Sequence, residues 1–219
     1  MVLSSSLSGP ALHLISDTGG RVGSRAAVIV FALALAGTTA RGQSVAEPTP
    51  HKGSTEFQVW TGGGHSIANG AGNTGVWNVG VRYGWVLTDA VGPRFLRGRF
   101  ECVVDAVPGY VIFQPRGAVY GVGLNPLGLK WNFDTGRRVA PYFDMDGGLL
   151  LTSSNVPSGI SRVNFASGPG VGANFGHGKA HWSLEVRWLH ISDAGLTPDN
   201  PGINILEARV GLGWFHHKE

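Results

Sequence analysis

Residues 182–195 read Trp-Ser-Leu-Glu-Val-Arg-Trp-Leu-His-Ile-Ser-Asp-Ala-Gly, and their alternation decides the fold. Trp182, Leu184, Val186 and Trp188 hold the even positions, with Glu185 and Arg187 between them. Successive side chains of a strand point to opposite faces, so this stretch is a strand with one greasy face and one charged face. The same period of two recurs along the chain. Trp77, Val79, Val81, Tyr83 and Trp85 oppose Asn78 and Arg82, and Phe100, Cys102 and Val104 oppose Arg99, Glu101 and Asp105. Val139, Phe143, Met145, Leu149 and Leu151 oppose Tyr142, Asp144 and Asp146, and Leu206, Ala208, Val210, Leu212 and Trp214 oppose Glu207 and Arg209. Eight strands are expected, at 55–63, 74–86, 95–106, 118–133, 138–152, 162–175, 180–192 and 203–215. No run of helical periodicity competes with them.

The polar faces say how these strands close. They collect Arg82, Arg97, Arg99, Lys130, Arg162, Arg187 and Arg209 against Glu56, Glu101, Asp105, Asp144, Asp146, Glu185 and Glu207, two sets of equal size. A sandwich core does not hold so many charges. The lumen of a small barrel does, because opposite charges pair there and water helps to satisfy them. Composition agrees: the 219 residues include 35 glycines and seven tryptophans and are only 14% charged, where a soluble domain carries about 25% charge. The expectation is an all-β fold, an eight-stranded antiparallel transmembrane β-barrel over residues 54–219. The competing architecture is a soluble Gly-rich β-sandwich with its charges in bulk solvent.

The connections alternate in length as well. Those at 134–138 and 176–179 are tight, whereas 65–72, 106–117, 153–161 and 193–202 are longer and rich in Gly, Pro and Asn. The connection at 87–94 is intermediate. Short periplasmic turns with longer outer loops are the pattern of outer-membrane barrels. If the chain enters from the periplasm, the seventh strand ends at the cell surface.

The N-terminal region supports export. Arg21 and Arg25 precede an apolar core from Ala26 to Ala36, followed by Ala40 and Gly42 at the small-residue positions of a cleavage site. Residues 1–42 are expected to be a signal peptide with a long leader, cut before Gln43, and 43–53 a flexible lead-in. The apolar core is too short to span a bilayer as a helix, which takes about 20 residues. Cys102 is the only cysteine, so the exported product has no internal disulfide. The formal charge of +3 owes much to Arg21, Arg25 and Arg41. No basic cluster survives their removal, which argues against a nucleic-acid partner.

His190 and Ser192 fall on the greasy face of the seventh strand where it gives way to a loop. A base and a hydroxyl two residues apart then project together out of an apolar surface, where polar groups cost desolvation without structural return. Asn204 opens the eighth strand with the parity of Leu206 and Trp214, so it shares that face and can orient the imidazole. A base near a hydroxyl is a weak signal alone, and isolated His and Ser residues are common at strand ends. Other conspicuous residues have plainer readings. His65 and His177 are isolated loop residues, and adjacent His216 and His217 point to opposite faces. Pro126 and Pro169 mark bulges or kinks. Gly62-Gly63-Gly64 precedes no helix and is no phosphate loop.

The run His190-Ile-Ser-Asp-Ala-Gly195-Leu-Thr-Pro-Asp-Asn200-Pro-Gly-Ile-Asn204 resembles the signature of outer-membrane lipid A 3-O-deacylases, the acyloxyacyl-hydrolase-like barrels. Gly123-Leu-Asn-Pro-Leu-Gly-Leu-Lys-Trp-Asn-Phe133, followed by Pro141-Tyr142, is similar to another stretch of that family. The resemblance implies a lipid A esterase with Ser192 as nucleophile, His190 as general base, and the Gly195 N–H and Asn200 side chain as oxyanion donors. It implies lipopolysaccharide and the outer membrane as partners, no metal or organic cofactor, and keeps a second copy of the chain as a candidate partner. Two positions depart from the family. Asn204 stands where a glutamate is usual, and Asp193 where an asparagine is. On this reading Asn204→Glu leaves activity unchanged or raises it. The alternatives are a non-catalytic barrel with a structural or binding role, and another lipid esterase or acyltransferase.

Overall fold

Eight antiparallel strands are hydrogen-bonded in sequence order in the computed structural model, and the last pairs with the first to close a barrel. The structure describes residues 50–177 and 180–216; the signal peptide expected at 1–42 and most of the lead-in lie outside them. The strands are β1 (Thr55–Ser66), β2 (Gly75–Val86), β3 (Gly98–Gln114), β4 (Gly117–Phe133), β5 (Val139–Val156), β6 (Ser161–His177), β7 (Ala180–Ser192) and β8 (Ile203–His216). One 3-10 turn, Arg94–Leu96, lies between β2 and β3.

The outer face is apolar and the buried charges turn inward, as strand parity requires. Val81, Phe143, Leu151, Leu184, Leu206 and Val210 are exposed, whereas Arg82, Asp105, Asp144, Asp146, Arg187 and Glu207 are buried. An aromatic rim follows the end of the barrel at which the chain enters β1. Phe57 pairs with Tyr83 and Trp214, Phe100 with Trp131, and Trp131 with Phe143, and Trp85 and Trp182 lie beside them. Aromatic girdles at the edge of an apolar band mark a membrane interface.

The strands differ in length in a way the sequence reading misses. β3 to β6 have 17, 17, 18 and 17 residues, against 12, 12, 13 and 14 for β1, β2, β7 and β8. The expected long connection at 106–117 is strand, closed by a tight turn at Pro115-Arg116, and that at 153–161 shrinks to 157–160. The physical reason is a bulge. At Pro108 the β3 register shifts against both neighbours, so Glu101, Asp105 and Val107 point inward before it and Tyr110 and Ile112 after it. An extra residue reverses the parity of everything beyond it, and the broken alternation looks like loop. Pro126 marks a second bulge, in β4. Pro169 shifts no register; it pairs with Met145, while the ladder from β6 to β7 skips it. His65 lies inside β1 and His177 ends β6, so neither is a loop residue.

The interior has two zones. Toward the aromatic rim and the middle it is a charge network. Arg82 grips Asp105 at 2.7 and 2.8 Å, Asp144 at 2.8 Å and Asp146 at 3.0 Å. Arg187 reaches Asp146 at 2.8 Å, and Lys130 reaches Glu56 at 2.8 Å. The expected balance of charge is not what the lumen holds. The seven carboxylates are inside, but of the cations only Arg82, Lys130, Arg187 and Arg209 join them. Arg97 and Arg99 pair with Asp134 at the turn, and Arg162 is exposed near the opposite end. Parity predicts a face, not a height along the barrel. At the other end the lumen is apolar, with Ile112, Leu150, Val156, Leu189, Ile191, Ile203 and Ile205 almost fully buried.

Candidate active site

β7 and β8 run side by side with His190 directly opposite Asn204. Both side chains leave the outer face, because the inward positions around them are taken by Leu189, Ile191, Ile203 and Ile205. Burying such side chains stabilises each by about 1.5–3 kcal/mol, so the strand ends carrying the site are anchored from behind. Trp188, two residues before His190, stacks on its ring at 5.7 Å.

The three polar groups form a relay. His190 Nδ1 lies 2.8 Å from Asn204 Oδ1, and His190 Nε2 lies 3.0 Å from Ser192 Oγ. An amide oxygen only accepts, so the hydrogen of the neutral imidazole sits on Nδ1. Nε2 then presents its lone pair and the Ser192 hydroxyl donates to it. This is the tautomer in which a histidine can take a proton from a serine.

Two loops complete the surroundings. In the 193–202 connection, Asp193 is buried and its Oδ1 accepts from the Gly195 N–H at 3.1 Å and from Asn200 Nδ2 at 2.6 Å. Hydrogen bonds from Thr197 and Asn200 hold the Asp193 carboxyl below its ordinary value. Asn200 Oδ1 accepts from the Gly202 N–H at 2.8 Å. Gly202 has φ +62°, and a Cβ built there would stand 2.7 Å from His190 Cε1. Both residues suggested as oxyanion donors are thus engaged with Asp193. Gly195 has a single N–H and it is committed, whereas Asn200 keeps a second amide hydrogen. From the other side, the 67–74 connection between β1 and β2 folds over Asn204. Ile67 N–H donates to Asn204 O at 2.8 Å, Ala71 N–H donates to Gly202 O at 2.8 Å, and Asn204 Nδ2 donates to the main-chain carbonyl of Asn69.

His190, Ser192 and Asn204 are therefore brought together, with Asn200 and Gly195 in the adjoining loop. Gly202 and Asn69 were missed. They reach the site from loops, where no periodicity points to a direction. Among the described residues no group of His, Cys, Asp or Glu has a metal-ligating arrangement.

A closed barrel with an apolar outer band and a charged lumen defines a class, the integral outer-membrane β-barrels, and this one carries a hydrogen-bonded Ser–His–Asn cluster on its outer face. Comparison with known families makes this specific. The model of the lipid A 3-O-deacylase (PagL) family matches residues 53–213, and the chain belongs to that family. No curated protein matches the sequence. Among solved structures, the crystal structure of the outer membrane enzyme PagL superposes with a TM-score of 0.55 at 20% identity, covering 70% of this chain and 97% of that one. The solid-state NMR structure of outer membrane protein AlkL in DMPC lipid bilayers covers 83% of this chain and 97% of that one, at 15% identity and a TM-score of 0.37.

Proposed function

We propose that this chain hydrolyses an ester-linked acyl chain of lipid A at the outer leaflet, by a serine mechanism. The observation that carries the reading is the relay from Ser192 Oγ through His190 to Asn204, on the lipid-facing wall of a barrel of the deacylase family. The 193–202 loop faces the cell exterior, which sets the relay at the height of the outer-leaflet ester bonds. The acyl chain approaches along the apolar wall beside Trp188, Phe165 and Leu206.

Ser192 Oγ attacks the ester carbonyl carbon while its proton passes to His190 Nε2. The oxyanion takes the free amide hydrogen of Asn200. Collapse breaks the ester C–O bond, and His190 returns the proton to the departing sugar hydroxyl. Water then attacks the acyl-serine with His190 again as base, and a free fatty acid leaves. Asn204 holds the ring and its tautomer but, being neutral, does not offset the charge of the imidazolium as a carboxylate would.

Mass spectrometry of lipid A from cells with and without the protein tests this. The wild type removes one ester-linked chain and releases it as free fatty acid. Ser192→Ala and His190→Ala each lower the rate by several orders of magnitude, roughly 10³-fold or more. Glu207→Gln retains turnover, because Glu207 lies in the lumen bonded to Arg209 Nε at 3.0 Å. Wild-type turnover in a folded Ser192→Ala barrel refutes the serine mechanism, and transfer of the chain to a second lipid refutes hydrolysis.

A further inference from the structure

We propose that the β1–β2 loop is a working part of the site, and that the main-chain carbonyl of Asn69 makes position 204 one where an amide functions and a carboxylate does not. This rests on the serine reading above and extends it to the choice of third residue. An asparagine side chain can be turned either way, and the two orientations exchange a donor for an acceptor. Here a fixed acceptor decides between them. Asn204 Nδ2 donates to Asn69 O, which leaves Oδ1 facing His190 Nδ1. The reverse orientation would set Oδ1 against the Asn69 carbonyl, two acceptors with no hydrogen between them.

The loop is held in place to do this. Ile67 and Ala71 donate main-chain hydrogen bonds to Asn204 O and Gly202 O, both at 2.8 Å. Asn69 itself is left-handed at φ +66°, which turns the chain over the site and which asparagine adopts more readily than most residues. The Asn69 carbonyl thus sets the amide, the amide sets the histidine tautomer, and the tautomer leaves Nε2 free to accept the Ser192 proton. The carboxylate of Asn204→Asp, isosteric with the amide, could still receive the Nδ1 hydrogen, but its second oxygen would face the Asn69 carbonyl. Glutamate, one methylene longer, has to fit its carboxylate into the same gap between His190 and that carbonyl. The expectation drawn from the family resemblance, that Asn204→Glu is neutral or beneficial, is therefore reversed in this chain. Asn69 and Asn204 act as positioning residues, through His190.

The test compares kcat and KM for lipid A in one detergent across the wild type, Asn204→Glu, a protein lacking Asn69 and Gly70, and the combination. Asn204→Glu is expected to lower kcat by about tenfold or more with KM little changed. In the shortened loop the same substitution is expected to be neutral or to raise kcat, because the opposing carbonyl is gone. A kcat for Asn204→Glu at or above wild type overturns the proposal, and so does a combination whose loss is the product of the two single losses, as a merely structural loop would give. If the shortened barrel does not fold, Asn204→Asp decides in the intact one: activity no better than that of Asn204→Ala supports the proposal, and activity equal to wild type overturns it. Ser192→Ala in parallel keeps the two ideas apart. An active Ser192→Ala removes the serine reading itself, whereas an inactive one with a fully active Asn204→Glu removes only the role of the loop.

Discussion

Gly202 and Gly195 sit ten residues or fewer from Ser192, and both are left-handed, yet they differ in what a side chain would meet. At Gly202 a Cβ would press on His190 Cε1 at 2.7 Å, whereas at Gly195 nothing lies within 4 Å. Gly202→Ala is therefore expected to displace the imidazole as well as strain the loop. A shift of about 1 Å in a catalytic group can cost roughly 10²-fold in rate. Gly195→Ala carries only the backbone term, about 1–2 kcal/mol for the left-handed conformation. Deacylation assays on the two folded variants check this, and a Gly202→Ala barrel as active as Gly195→Ala contradicts the packing argument. His190, Ser192 and Asn204 were legible in the sequence because each lies on a strand whose parity fixes its direction. Gly202 was not, since its contact with the ring depends on how a ten-residue loop returns.

At the scale of elements, the barrel has a tall wall and a short one. β3 to β6 exceed β1, β2, β7 and β8 by three to six residues. At about 3.3 Å per residue that is roughly 10–20 Å of additional strand. The site opens on the short side, where β7 ends, β8 begins and the 67–74 and 193–202 loops meet. The 67–74 and 193–202 loops lie at the same end of the barrel as the site and the 134–138 turn at the other, which predicts opposite accessibilities. In a Cys102→Ser background, Thr197→Cys should react with an impermeant thiol reagent on whole cells, and Thr135→Cys, in the turn before β5, only after the cells are opened. The reverse pattern would invert the barrel and place the site in the periplasm. The eight elements could be read from alternation, and the length of β3 could not, because the bulge at Pro108 reverses parity within the strand.

At the scale of the whole molecule, stability is divided between a charge network and an apolar plug. Arg82 holds three carboxylates from β3 and β5 at once, so it ties one side of the lumen to the other. Removing one member of a buried ionic cluster leaves its partners uncompensated and costs about 3–5 kcal/mol. Arg82→Leu is expected to lower the midpoint of urea unfolding, followed by the heat-modifiable gel mobility of the barrel, while turnover per folded molecule stays near wild type. A loss of turnover without a loss of stability would mean that the lumen reaches the site chemically. The plug of Leu189, Ile191, Ile203 and Ile205 gives the reason for expecting separation, since it lies behind the relay residues of the same two strands.

The sequence by itself determined the number of strands, the closure into a barrel, the sign of each face and the side on which His190, Ser192 and Asn204 emerge. All of these follow from a period of two, which is a local property of the chain. Only the tertiary structure decided the rest: which cations share the lumen with the seven carboxylates, where β3 to β6 end, that Asp193 occupies the Gly195 N–H, and that the Asn69 carbonyl meets Asn204. Those contacts join residues far apart in the chain at particular heights along the barrel, and height is set by register, bulges and loop closure together rather than by any pattern within one segment.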